Sequence, residues 1–359
     1  MAARGTQELR LHILINDFIG GALDRGIPLY VRNLIDGLRN EGLRVSTVRA
    51  PAFCRKLPRG ALYMIAVLVE QILLPLIGFW LRADLTIYPY NSVAVIDLLT
   101  RRGRIVVHDL EQLNRPLSFS KLYYLACYRA LKWRNAPLFT ISEISRVRIV
   151  DSGLFGDGLI TLLPNTFYAF ERLAGVETPT LAKSILLCTG STANKDLATV
   201  VGEYLPPVLA KGQSVAILGL HKPSDMATLQ PLAEFIRSGQ VRLCGRLSDA
   251  EVARAYRAHA VVWVHSLREG FGRCVVEGRL AGARVLASDI PEFAELRDGD
   301  VYLYKNPASF LAGLDRLTHM DAQATPYTGY PYRELLRKAI DGAMRAKQAP
   351  GATQAPQAI

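Results

Sequence analysis

Residues 265–293 read HSLREGFGRCVVEGRLAGARVLASDIPEF. The stretch follows one apolar run, AVVWV at 260–264, and contains another, RVLAS at 284–288, each with the length and β-branched content of a buried strand. Between them Gly270-Phe271-Gly272 predicts a tight turn, with a helix beginning near Arg273. Strand, turn, helix and strand in that order form the unit of a parallel α/β sheet. The glycines let the backbone pass close to a ligand. The helix head offers unpaired N–H groups and the positive end of its dipole, which together suit a phosphate. Glu269 and Glu277 flank the turn. Carboxylates accept hydrogen bonds from hydroxyls instead of binding phosphate. The set therefore fits a molecule with a diphosphate in the middle and a sugar at each end. Either glutamate alone reads equally well as a surface residue or a helix-start acid. The ordered set Ser266, Glu269, Gly270, Gly272 and Glu277 carries the reading. It requires that the two acids not each be locked in a salt bridge of its own.

Outward from this stretch, short apolar runs alternate with amphipathic helices along the whole chain. Strands are predicted at 11–16, 44–49, 84–89, 104–108, 138–141 and 160–163, and again at 184–189, 214–219, 241–244, 260–265, 284–287 and 301–304. A helix from Ile27 to Asn40 has Pro28 near its start and Gly42 past its end. Ser248 and Glu251 predict a capping box for the helix through Tyr256. The fold class is α/β, as two Rossmann-like doubly wound domains facing across a cleft. The domains are placed at 1–168 and 180–330, separated by a polar, strand-poor linker over 168–182. A helix at 331–347 is left open to cross back to the first domain, and the tail 348–359 reads as disordered.

With 359 residues, half of them hydrophobic, the chain can bury two cores and is neither fibrous nor disordered. Five cysteines, odd in number and widely spread, read as buried thiols in a reducing compartment and not as a disulfide framework. The polar start predicts no signal peptide. Residues 61–81 are apolar over a bilayer's thickness, but Glu70, Gln71 and Pro75 sit at the centre. A buried core helix is the first expectation there, a helix on a membrane surface the second, and a true span the last. The net charge of +11 is uneven, +8 over 1–170 and +3 over 171–359. A basic first half suits an anionic partner or is plain solubility charge. Aromatic residues do not interleave with the basic ones as base stacking needs, so no nucleic acid partner is expected. No G-x-S-x-G, Walker, His-Glu-x-x-His or paired-cysteine motif is present, and Asp298-Gly299-Asp300 reads as a turn before VYLY, not as a metal site.

The segment resembles the donor signature of glycosyltransferase family 4, a retaining family with the GT-B fold. The resemblance rests on His265-Ser266, on Glu269-Gly270-Phe271-Gly272, and on Glu277-Gly278 with the family's spacing between the glutamates. It extends upstream through CGRLSDAEVARAYRAH, 244–259, and downstream to PEFAEL, 291–296. It implies that Glu269 touches donor sugar hydroxyls and Glu277 the nucleotide ribose. Gly270, Phe271 and Gly272 would meet sugar and diphosphate through backbone N–H groups. The family's Arg-Lys pair, which neutralises the leaving diphosphate, maps onto Asn194 and Lys195, so one cation is kept and one is missing. Arg246 or Arg273 is the candidate substitute. His265 stands where the family has Pro, Gly278 where it has Ala, and Arg273 where it has an apolar residue.

In the first half the resemblance is fainter. It implies that Gly20-Gly21 approaches the diphosphate and that His108, at the end of a strand with Asp109, lines the cleft as a catalytic residue beside Glu269 and Lys195. Glu111, Arg115 and Lys121, with Phe119, Tyr123 and Tyr124, read first as an exposed helix and second as an acceptor or membrane surface. The implied activity is hexosyl transfer from a UDP- or GDP-sugar to a glycan or lipid-linked acceptor, in lipopolysaccharide, O-antigen or capsule assembly. No metal or other cofactor is expected. The location is cytoplasmic, with peripheral attachment to the inner face of the cytoplasmic membrane left open. The alternatives are a catalytically weak nucleotide-sugar-binding subunit, or the same fold running a phosphorylase or epimerase reaction.

Overall fold

The computed structural model describes residues 11–21, 26–114, 116–174, 181–220, 227–320 and 324–348. The tail at 349–359 and the first ten residues lie outside them. Among the described residues the chain forms two compact units, one through Thr166 with the helix Tyr332–Gln348 added, the other Phe167–Pro331.

The first unit carries a six-stranded sheet in the order β2-β1-β3-β4-β5-β6. Its strands are β1 (His12–Asp17), β2 (Arg44–Arg49), β3 (Leu85–Tyr88), β4 (Gly103–Val107), β5 (Leu138–Thr140) and β6 (Ile160–Leu162). Every pairing is parallel. β1 is buried at all six positions, as expected of a strand covered on both faces. The helix Gly26–Asn40 packs beside β1 and β2. The helix Tyr332–Gln348 joins this unit by packing on β6 and on the helix Gly26–Asn40, burying Leu336 and Ala339, with Arg337 Nε 2.5 Å from Glu41 Oε2.

The second unit repeats the design with the order β12-β11-β10-β7-β8-β9. Its strands are β7 (Leu181–Cys188), β8 (Ser214–Leu218), β9 (Val241–Leu243), β10 (His259–Val264), β11 (Arg284–Ser288) and β12 (Val301–Tyr304), again all parallel. Ser248 and Glu251 form the capping box expected of them, on the helix Asp249–Ala258. The twelve strands expected from the apolar runs are all present.

Three expectations need correction. The stretch read as a linker begins as a helix, Tyr168–Ala174, because Phe170 turns inward and meets Tyr256 edge-on at 5.7 Å. Residues 175–180 lie outside the described ones. The apolar segment at 61–81 is a continuous helix from Arg59 to Trp80 with a π-helical turn at Val69–Leu73, but it is not a core helix. Its polar residues face inward. Glu70 accepts hydrogen bonds from Asn16 Nδ2 (2.9 Å), Ser92 Oγ (3.0 Å) and Tyr123 OH (2.7 Å). Gln71 donates to the Val93 carbonyl and accepts from the Val95 N–H. A polar pair anchored to the sheet turns the apolar side outward. Finally, all five cysteines are free thiols, but Cys244 and Cys274 are only partly buried.

Candidate functional site

In a doubly wound sheet the strand order reverses at one place, and ligands bind beyond the strand ends there. In the second unit that place lies between β7 and β10, which run side by side although 70 residues separate their ends in sequence. The loop after β7 carries Asn194 and Lys195 in a short 3-10 turn, Ala193–Lys195. The loop after β10 carries Ser266, Glu269 and the glycine turn, ending in the helix Arg273–Leu280.

Hydrogen bonds sew the two loops together. Leu267 N–H and Ser266 Oγ both donate to the Asn194 carbonyl, at 2.7 and 2.9 Å. Asn194 Nδ2 donates to the Arg268 carbonyl at 3.0 Å. Ser266 N–H donates to Ser288 Oγ at the end of β11, and Glu269 N–H donates to Glu292 Oε1 at 3.1 Å. Asn194 and Ser266, expected to touch the donor, brace the two loops through Asn194 Nδ2, the Asn194 carbonyl and Ser266 Oγ. Lys195 Nζ reaches Glu269 Oε1 at 2.5 Å. Burial pulls the Lys195 pKa down, but the Glu269 carboxylate more than offsets this, and the ammonium ends above its ordinary value.

Gly272 caps the helix with φ of +91°, and a Cβ there would lie 2.7 Å from the Phe293 ring. Both the backbone angle and the close approach demand glycine. Phe271 turns its ring into the protein, 4.7 Å from Tyr330 and 6.3 Å from Phe167, which leaves its backbone as the part that can meet a ligand. Arg273 donates to Glu277 Oε1 at 2.7 Å one helical turn on, with its guanidinium 4.6 Å from the centre of the Phe167 ring.

The requirement that the two acids stay out of separate salt bridges is not met. Glu269 pairs with Lys195 and Glu277 with Arg273, all four side chains between 12 and 18% exposed. The reason is local: each cation assigned to a diphosphate lies beside one of the acids and neutralises it. The two pairs keep both charge types at the helix head, and a donor would have to exchange each pair for phosphate on the basic partner and hydroxyl on the acidic one. Arg246, the other candidate substitute cation, is exposed beyond the end of β9.

His265 is buried at the end of β10. Trp263 Nε1 donates to Tyr304 OH (2.8 Å), so the tyrosine proton is free to go to His265 Nδ1 (2.6 Å). Burial lowers the His265 pKa, and the ring is neutral. The pair Asp298 and Asp300 does form a turn, and it also holds the buried Arg279, with Nε–Oδ1 3.0 Å to Asp298 and Nη2–Oδ2 3.2 Å to Asp300. Sequence reading missed this, and also missed Phe167 and Tyr330, which lay in stretches without pattern.

The first unit reverses its strand order between β1 and β3. A cavity opens there, lined among others by Asn16, Phe18, Glu70, Tyr90, Ser92 and Tyr123. The space a water-sized sphere can occupy in it is about 30 Å³, well below the range of small-molecule sites. Burial raises the Glu70 carboxyl to about 7 despite three donors. Gly20 closes a turn over Asp17 and Tyr90, where a Cβ would come within 2.1 Å of Asp17 Oδ1. Glycine is needed there for internal packing, which accounts for the motif without a ligand. Gly21 ends the same turn, Ile19–Gly21. Asp17 is ion-paired with Arg49. His108 is buried against Tyr30, and its Nε2 bonds the Pro89 carbonyl at 2.9 Å. A carbonyl only accepts, so that nitrogen carries the proton. Burial pulls the ring down to about 4, leaving it neutral with Nε2 committed to the fold. Of the basic stretch after it, Arg115 lies outside the described residues.

Residues 183–319 match the model of the family described as glycosyl transferases group 1. No curated protein matches the chain. Among solved structures it is similar to a sucrose-phosphate synthase from Thermosynechococcus elongatus, at 17% identity and a TM-score of 0.60, covering 94% of this chain and 98% of that one. A glycosyltransferase from Rickettsia africae gives 12% identity and a TM-score of 0.61 over 96 and 100% of the chains. A UDP-GlcNAc 2-epimerase from Methanocaldococcus jannaschii gives 12% and 0.59 over 93 and 100%. At these identities the likeness establishes the fold, the two-domain α/β GT-B architecture.

Proposed function

We propose that the protein is a retaining glycosyltransferase of family 4 type. It would move a sugar from a UDP- or GDP-sugar to a glycan or lipid-linked acceptor in the assembly of a bacterial surface polysaccharide, from the cytoplasmic side. One observation carries the reading: Lys195 and Glu269 meet at the reversal point of the second sheet, beside a glycine-capped helix head. The match of residues 183–319 to a glycosyl transferase family, and the UDP and glucose held by the similar Anabaena HepE, support it.

In this reading Lys195, Arg273 and the helix N–H groups take the diphosphate, and Glu269 and Glu277 are released to sugar hydroxyls. Negative charge grows on the leaving phosphate as the glycosidic bond breaks, and preorganised cations stabilise it. The acceptor hydroxyl attacks from the same face, its proton passing to the departing phosphate oxygen. The test is transfer from labelled UDP- and GDP-sugars to a bacterial membrane extract. Glu269→Ala should lower kcat/KM by roughly 10- to 100-fold, the worth of a charged hydrogen bond. Transfer at the native rate by that variant would refute the assigned site.

Asn194 favours a second reading. It stands in the place of the family's arginine and is used as a strut, so a binding subunit with weak turnover has structural support. Saturable donor binding without transfer, restored by a partner protein, would select it. Turnover of UDP-GlcNAc without any acceptor would select the epimerase alternative.

A further inference from the structure

The helix from Gly60 to Trp80 is long and apolar enough to cross a membrane, yet only 33% of its most apolar window is buried. Leu68, Ile72, Leu76, Phe79 and Trp80 are between 56 and 80% exposed. Two neighbours extend this surface. The helix Val95–Leu99 exposes Ile96 and is tied to Gln71 through the Val95 N–H. The helix Phe119–Trp133 exposes Leu122 and is tied to Glu70 and Gln71 through Tyr123. An apolar area assembled from three helices marks a contact surface.

Two features say what covers it. Glu70 and Gln71 are fastened to the ends of the sheet, so the helix is held flat on the unit and is not free to thread a bilayer. The charges at its border are basic. Lys56 precedes the helix, and Arg82, Arg101 and Arg102 follow it, with the Arg102 guanidinium 5.9 Å from the centre of the Phe79 ring. Of the acids in this region, Glu70 and Asp97 are buried, and Asp84 accepts from the His12 N–H. An apolar face with a cationic border is complementary to an anionic lipid surface, where each basic residue near the headgroups adds about 1 kcal/mol.

We propose that this face docks the first unit on an anionic phospholipid bilayer, the helix lying in the plane of the membrane with Phe79 and Trp80 at headgroup depth. The inference stands apart from the transfer reading, since its test reads no activity. The full chain is floated with vesicles of phosphatidylglycerol and phosphatidylethanolamine, and with vesicles of phosphatidylcholine alone. The expected result is flotation with the anionic vesicles, weakened by salt, and a blue shift of tryptophan emission that Trp80→Phe removes. Leu68→Glu with Leu76→Glu should lower the partition at least about tenfold, while leaving the far-ultraviolet circular dichroism and the thermal midpoint in solution unchanged. Failure to float with anionic vesicles, equal flotation with phosphatidylcholine, or equal binding by the double variant would overturn it. So would light scattering that shows a dimer dissociated by the same two substitutions, because a second copy would then be the occupant.

Discussion

Replacing Glu70 by glutamine should remove a loss of stability that the native first unit undergoes as pH rises through neutrality. Burial raises the carboxyl from an ordinary 4.5 to about 7. Below 4.5 the folded and unfolded chains both hold the proton, and the group adds no pH dependence. Between 4.5 and 7 the unfolded chain gives up its proton while the folded one keeps it, so stability falls as pH rises. Above 7 the full difference has been lost, about 3 kcal/mol at roughly 1.4 kcal/mol per decade of proton affinity. The glutamine amide keeps the size of the group and never ionises. The measurement is amide hydrogen exchange in β1, the buried strand that carries Asn16 and reports the unit containing Glu70. Comparing the two proteins at the same pH cancels the intrinsic pH dependence of exchange. The variant should gain on the native protein by about 3 kcal/mol between pH 4.5 and 7.5, whatever the difference at the acidic end. A difference that stays level across that window would show that Asn16, Ser92 and Tyr123 hold Glu70 ionised, and the reasoning would fail.

Three further outcomes are expected. Lys195→Gln should lower kcat by roughly 100- to 1,000-fold, the usual effect of removing one preorganised stabiliser of a developing charge, with a thermal midpoint close to native; an unchanged kcat would remove Lys195 from the mechanism. Gly272→Ala should cost about 1–3 kcal/mol from the left-handed backbone alone, more with the Phe293 contact, and should abolish the rise in midpoint given by a nucleotide sugar. Arg279→Met strands Asp298 and Asp300 without their cation and should cost about 3–5 kcal/mol in chemical denaturation, whereas a cost under about 1 kcal/mol would mean that Thr325 and the backbone satisfy the two acids unaided.

The strands were legible because parallel sheets covered on both faces need continuous apolar runs, and β1, β7 and β10 supply them. The capping box at Ser248 and Glu251 was legible for the same kind of reason, its partners being three residues apart. The order of residues from Ser266 to Glu277 picked out the loop and helix head at the sheet reversal, but not the ion pairs formed there. Arg273 and Glu277 stand four apart on a helix, a spacing that predicts an ion pair, and weighing it would have foretold one of the two salt bridges. Lys195 and Glu269 are 74 residues apart, and only the sheet order brings them together. The helix at 59–80 was misread because composition shows an apolar segment and not which side faces out. That is decided by Asn16, Ser92 and Tyr123, which lie 22 to 54 residues away from Glu70 and reach it only in the folded unit.

The helix Tyr332–Gln348 belongs to the first unit although the whole second unit precedes it in the chain. As the polypeptide leaves the ribosome, the second unit is complete once its own contiguous residues have emerged. The first must wait, with the surface that will cover Leu336, Ala339 and Ile340 open to water, until the helix Tyr332–Gln348 arrives. A premature stop codon after the second unit would therefore injure the unit made before it.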